Sequence, residues 1–272
     1  MFLPTTPEEV LALGWDGLDV ILVTGDAYID SPFIGAAVIG KVLLAAGYRV
    51  GIITQPATES GAEIGRLGEP LLFWGVTGGS VDSMVANRTA AGRKRRTDDY
   101  TPGGLNTRRP DRAVLVYSNL IRSRFKNTAP IVLGGIEASL RRVVHYDFWD
   151  NRLRRSILFD AKADYLLYGM AEQSVLELAG VLSEGGDPKG VRGLCYAGSE
   201  LPSDCLVLPS FSECTGDKAA FTRMFHAFYR NNDPRTARPL AQLQDNRYLI
   251  QNPPPPILTT EELVDESVIR SD

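Results

Sequence analysis

Histidine and cysteine, the side chains that most often hold metals or act as nucleophiles, are scarce in this chain of 272 residues: His145 and His226, Cys195, Cys205 and Cys214. The cysteines are an odd number, parted by residues 196–204 and 206–213, a spacing that matches neither a zinc knuckle nor an iron–sulfur ligand run. A chain of this length needs no disulfides, so they read as small packing residues in a reducing, cytoplasmic protein. His226 lies in the aromatic stretch FTRMFHAFY, where an imidazole packs or faces solvent, whereas His145 in RRVVHYDFWDN is the more suspect of the two. Charge of one sign is also lacking. Lys and Arg total 29 against 33 Asp and Glu, a net charge of -4 that gives no global reason to bind nucleic acid or an acidic membrane. No apolar run reaches the roughly 18 residues of a membrane span, since Ile34–Ala46 is broken by Lys41 and reads as a buried helix. Met1–Gly14 has Glu8 and Glu9 and no basic region, unlike a secretory signal. Neither Gly-x-Gly-x-x-Gly after the first strand nor Gly-x-x-x-x-Gly-Lys-Ser/Thr occurs, which lowers dehydrogenase and ATPase readings. No nucleophile elbow or Ser/His/Asp triad is legible, and no catalytic or metal-ligating residue is assigned.

What is present is alternation. Val20–Thr24 predicts a first strand, followed by a helix opened by Pro32, capped by Ser31, striped by Phe33, Ala37 and Leu44 and closed at Gly47. Strands are predicted at Tyr48–Thr54, Leu71–Val76, Ile131–Leu133 and Tyr165–Tyr168, with helices from Asp82, over Asp111–Lys126 and over Glu172–Leu182. This is the pattern of an α/β, doubly wound, mostly parallel sheet of the flavodoxin-like kind, spanning 1–184. Residues 77–110 interrupt it with a long polar loop. From 185 to 256 the character becomes mixed α+β: short runs near Leu194 and at Leu206–Leu208, a helix over Lys218–Arg230, and a hairpin turned at Asp245 and Asn246 whose second arm is Arg247–Gln251. Four prolines end it, and 257–272 reads as a linker or cut end.

In a doubly wound sheet, ligands bind beyond the carboxyl ends of the strands. The loops there supply candidate ligand-binding residues: Gly25, Asp26, Tyr28 and Asp30 after the first strand; Thr77, Gly78, Gly79, Ser80 and Asp82 after the third; Gly134, Gly135, Glu137, Ser139 and Arg141 after the fourth; Tyr168 and Glu172 after the fifth. Glycines let a ligand approach the backbone and Ser or Asp can both cap and bind, although α/β turns need the same residues anyway. Two arginine groups stand out, Arg93 to Arg112 and Arg141 to Arg155. Asp98, Asp99 and Asp111 among the first favour a solvated loop over a phosphate or RNA contact.

The blocks DVILVTGDAYIDSPFIGAAVIGKVLLAAGYRVGIITQP, FWGVTGGSVDSMVANRTA, RRTDDYTPGG, TRRPDRAVLVYSNLIR, PIVLGGIEASLRRVVHYDFWDNRLRRSILFDAKADYLLYGMAE and YLIQNPPPP together resemble the N-terminal region of the YgiQ family of radical SAM proteins. The resemblance runs from Phe2 to Leu263. It implies a cytoplasmic protein whose relatives continue into a catalytic domain, where a Cys-x-x-x-Cys-x-x-Cys run ligates a [4Fe-4S] cluster that cleaves S-adenosylmethionine. That run is missing here, so neither cofactor is expected in this chain by itself. The region is also similar to cobalamin-binding domains, but their Asp-x-His-x-x-Gly is replaced by Asp26-Ala27-Tyr28, with no histidine to ligate cobalt. The resemblance implies an N-terminal accessory domain that caps the catalytic domain, in the same or an adjacent chain, or positions a small-molecule substrate. A stand-alone small-molecule or RNA-binding module and a non-functional truncated fragment are the alternatives.

Overall fold

The computed structural model describes residues 1–31 and 33–260. The chain divides into two compact units, one of Met1–Glu137 with the chain from Leu258, the other of Ala138–Ile257. The change of composition falls elsewhere, at 184/185.

The first unit begins with α1 (Pro7–Ala12), where Thr6 and Glu9 form a capping box. It continues with β1 (Val20–Thr24), α2 (Gly35–Ala45), β2 (Val50–Thr54), β3 (Phe73–Thr77), α3 (Ser83–Asn87), α4 (Ala113–Arg124) and β4 (Ile131–Gly134); α5 (Gly135–Leu140) straddles the division. All pairings among β1 to β4 are parallel, in the order β2-β1-β3-β4. Every residue of β1 is buried, as expected for a parallel strand covered on both faces, which is why VILVT is continuously apolar up to its last residue. The register sets Thr54, Thr24, Thr77 and Gly134 side by side, so four strands end at one edge.

The predicted start of α2 needs correcting. Ser31 Oγ accepts from the Phe33 amide in a local turn, the helix begins at Gly35, and Phe33 is 88% exposed while Ala37, Val38, Val42 and Leu43 form the buried face. Pro32 lies outside the described residues. The predicted long loop is only partly a loop: α3 is followed by isolated bridges Arg88↔Lys94 and Thr97↔Leu105 and a 3-10 turn at Pro102–Gly104.

The second unit holds β5 (His145–Asp147), β6 (Arg152–Arg154), α6 (Ile157–Asp160), β7 (Tyr165–Leu167), α7 (Glu172–Ser183), β8 (Leu194–Gly198), β9 (Leu206–Leu208), α8 (Phe211–Gly216), α9 (Lys218–Arg230), β10 (Leu240–Gln244) and β11 (Arg247–Gln251). The order β7-β8-β11-β10-β9 is antiparallel except for β10 with β9. The strand predicted at Tyr165–Tyr168 forms as β7, and within this unit its neighbour β8 runs antiparallel to it. A local β-branched pattern fixes that a strand forms, not which neighbour it takes. The predicted α9 and hairpin stand at their predicted residues. Asp217 caps α9 by accepting from the Ala219 and Ala220 amides, and Asp245 turns the hairpin at φ 59. Three buried glutamines fasten the segment before α6, which carries the antiparallel pair β5–β6, to this sheet: Gln242 and Gln244 accept from the amides of Val144 and Ser156, and Gln251 accepts from Arg142 Nε. The expected linker at 257–272 lies, from residue 261, outside the described residues.

Candidate functional site

At the carboxyl edge of the first unit's sheet, β1 and β3 are neighbours and their following loops interlock. Asp26, just beyond β1, accepts from the Ser80 amide beyond β3 at 2.6 Å. It also accepts at 2.7 Å from Arg109 Nη2, and Arg109 Nε donates to the Gly25 carbonyl at 2.9 Å. Asp98 is the second carboxylate on Arg109, at 3.3 Å. Gln55, beyond β2, ties the group to a third loop: Nε2 donates to the Gly25 carbonyl and to Thr101 Oγ1, whose hydroxyl donates to Asp98. Arg109, Asp26 and Asp98 are almost wholly buried, at 0%, 1% and 3%. Burial pushes the Asp26 carboxyl above its usual range, with the Asp98 charge adding to the push while Ser80 and Arg109 pull it back.

These close approaches require glycine, most plainly at the two positions that also have positive φ. Gly79 has φ +112 and its Cα faces the Asp26 carboxylate, where a Cβ would collide. Gly135, at φ +77, leaves the space that Thr77 Oγ1 occupies. Glu137 is buried against two helix starts: its carboxylate accepts from the Ser83 amide at 3.1 Å and the Val114 amide at 3.3 Å, satisfying first-turn donors of α3 and α4. Ser83 Oγ accepts from Ala113, the first residue of α4.

The structure therefore brings Gly25, Asp26, Thr77, Gly78, Gly79, Ser80, Gly135 and Glu137 together, the Asp26 and Glu137 carboxylates being taken up by the protein itself. Asp82 caps α3 through the Met84 amide, Asp30 pairs with Lys41 at 2.9 Å, and the Tyr28 hydroxyl accepts from the Leu3 amide. Gly134 ends β4 with open space where a Cβ would stand. In the second unit, Ser139 Oγ accepts from the Gly169 amide, the Tyr168 hydroxyl donates to the Asn252 carbonyl at 2.6 Å, Glu172 opens α7, and Arg141 is half-buried just past α5. Sequence reasoning missed Gln55, Asp98 and Thr101, and counted Arg109 among solvated loop charges. The available signal was TRRPD, where Arg109 directly precedes a proline that fixes the chain's direction. Three other arginines behave as expected of charges interspersed with acids: Arg88 pairs with Asp111, Arg154 with Asp147 and Asp150, and Arg155 with Asp160 and Asp245.

The side chains present do not fit an iron–sulfur cluster. Burial pushes the Cys195 thiol up to about 12 and that of Cys214 up to about 11, and among the described residues no three His, Cys, Asp or Glu side chains stand close enough to share a metal ion. The β1 loop offers no histidine for cobalt, its Asp26 being held by Arg109 and Ser80. His145 is in β5, its Nδ1 beside the Val143 carbonyl and its pKa lowered by burial to about 4, so it is neutral and turned inward; His226 is exposed on α9. Among the described residues no helix is long and apolar enough to cross a membrane.

The chain is 56% identical over 266 residues to the UPF0313 protein of Fusobacterium nucleatum, covering 97% of this chain and 47% of that one. It is 52% identical to the UPF0313 protein of Thermotoga maritima, with the same coverage of 97% and 47%, so the chain spans about half the length of these curated relatives. Among solved structures it is similar to the radical S-adenosylmethionine methyltransferase TsrM of Kitasatospora setae with cobalamin and a [4Fe-4S] cluster bound, at 19% identity and TM-score 0.44 over 66% of this chain and 27% of that one. That likeness is too slight to carry an argument about ligands. The family model described as Radical SAM N-terminal matches residues 2–268, and the chain belongs to that family, of the YgiQ type that its residues resemble.

Proposed function

We propose that this chain is the N-terminal accessory part of a YgiQ-type radical SAM enzyme, which caps the catalytic part or positions its substrate and is not catalytic alone. The observation that carries the reading is the family match over residues 2–268 in a chain whose three thiols cannot gather round a cluster. A [4Fe-4S] cluster with S-adenosylmethionine would supply radical chemistry from the catalytic domain, the partner of this chain, in the cytoplasm. The order β2-β1-β3-β4 supports reading the first unit as flavodoxin-like, with its switch point between β1 and β3. There Arg109 pairs with Asp26 and Asp98 in a buried group of the protein's own charges. In this reading the loops at Gly25–Asp30, Thr77–Ser83 and Gly134–Glu137 form a preorganised wall, and Ser139, Arg141, Tyr168 and Glu172 serve the second unit.

The test begins with the DNA beyond codon 272. A fused or adjacent frame encoding Cys-x-x-x-Cys-x-x-Cys is expected, and co-expression of both parts followed by anaerobic reconstitution should yield the absorbance of an iron–sulfur cluster, while the 272-residue chain alone yields none. Absence of such a frame would overturn the accessory reading.

A further inference from the structure

Three of the guanidinium groups drawn into this protein are answered by carboxylates: Arg49 by Asp16 and Asp19, Arg109 by Asp26 and Asp98, Arg154 by Asp147 and Asp150. Arg142, in the second unit, is not. Its guanidinium lies over the rings of Tyr168 and Phe228, 4.4 Å from each centroid. Nε donates to Gln251 Oε1 at 3.0 Å and Nη1 to the Ser139 carbonyl, which leaves Nη2 with no partner among the described residues. No carboxylate pairs with it there. Its ionisable neighbours are the Cys195 thiol and the Tyr168 phenol, both pushed up by burial and both uncharged at neutral pH. Tyr168 also feels a second guanidinium, Arg192, which is spent on the carbonyls of Pro234 and Pro254.

Aromatic faces ease the burial of a cation but do not neutralise it. A cation drawn from water with no carboxylate beside it keeps its charge, and that charge attracts an anion from solution. The rings and the two hydrogen bonds also fix the plane of the guanidinium, so its remaining edge is preorganised for a planar or tetrahedral oxyanion, the geometry for which arginine is suited. We propose that Arg142 is the recognition group of an oxyanion site, at which a carboxylate or phosphate group of a small molecule binds the free Nη2 edge. This goes beyond the accessory reading and stands on the second unit alone.

The test is titration of the 272-residue chain with sodium phosphate and, separately, sodium acetate, at ionic strength held constant with sodium chloride. The readouts are the arginine Nε–Hε resonances and thermal unfolding. A saturable shift of the Arg142 resonance, with those of Arg49 and Arg109 unmoved, and a rise in Tm of the same midpoint are expected. A response to phosphate alone assigns a phosphoryl ligand and to acetate alone a carboxylate. Arg142→Lys, which keeps the charge but loses the fork, should weaken binding about tenfold, and Arg142→Gln should abolish it. No saturable shift with either anion, or an equal rise in Tm for Arg142→Gln, would overturn the proposal. Should Arg142→Gln fail to fold, the wild-type resonance decides.

Discussion

Arg109, in the loop before α4, and Arg142, just past α5, are each drawn from water, and they are stabilised by opposite means. Arg109 meets two carboxylates and a carbonyl, so its charge is consumed inside the first unit. Arg142 meets two rings, an amide oxygen and a carbonyl, so its charge persists in the second. An ion pair that closes on itself holds loops together, whereas a cation held in place without a counter-charge is able to respond to something outside. The burial of an arginine alone does not separate these roles; the sign of its neighbours does.

The sharpest way to break that comparison is to remove both charges in turn. Arg109→Met strands Asp26 and Asp98, and should cost about 3–5 kcal/mol in urea unfolding; a cost below about 1 kcal/mol would mean the pair is not structural. Acid separates the units next. His145, with a folded pKa near 4 against the usual 6.5, stays neutral in the native state while the unfolded chain takes up a proton. Stability should fall by at most about 3 kcal/mol as pH drops from 6.5 to about 4, and His145→Gln should flatten that slope. Asp26 works the other way: its raised pKa makes its contribution fullest below the ordinary carboxylate value of 3.8 and smaller as pH climbs past it. Third, Gly79→Ala should destabilise by about 2 kcal/mol, from the positive φ and the collision with Asp26, measured by chemical denaturation. The smallest effect is Arg142→Met, at about 1 kcal/mol, because it strands no charge and loses only two hydrogen bonds. A loss as large as that of Arg109→Met would erase the distinction.

Much of this architecture is legible from the residues. β1, α9 and the Asp245–Asn246 turn follow from local chemistry: a continuous apolar run, an aspartate before a helix, a polar pair between two strand arms. The carboxyl edge is also legible, since Gly25, Asp26, Thr77–Ser80, Gly135 and Glu137 do converge there. What escaped were partnerships across long separations. Tyr165–Leu167 carries the pattern of a strand but no mark of antiparallel pairing, and Arg109 sits among residues that are indeed exposed, including Arg93 to Arg96 and Arg108. Its burial is dictated by Asp26, 83 residues earlier, and no local window contains both.

That separation has a kinetic meaning. Bringing together groups 83 residues apart carries a loop-closure cost that the local helices and turns between them do not share. Until the Arg109 guanidinium reaches Asp26, the basic stretch Arg93–Arg96 belongs to an open loop with several trypsin sites. Afterwards, the same stretch is tied by the Arg95 amide to the Asn87 carbonyl and runs on into Asp98, which is fixed on Arg109. Assembly of the first unit thus has a chemical latch: the closing of the Arg109 pair and the fixing of the chain at Asp98 are one event.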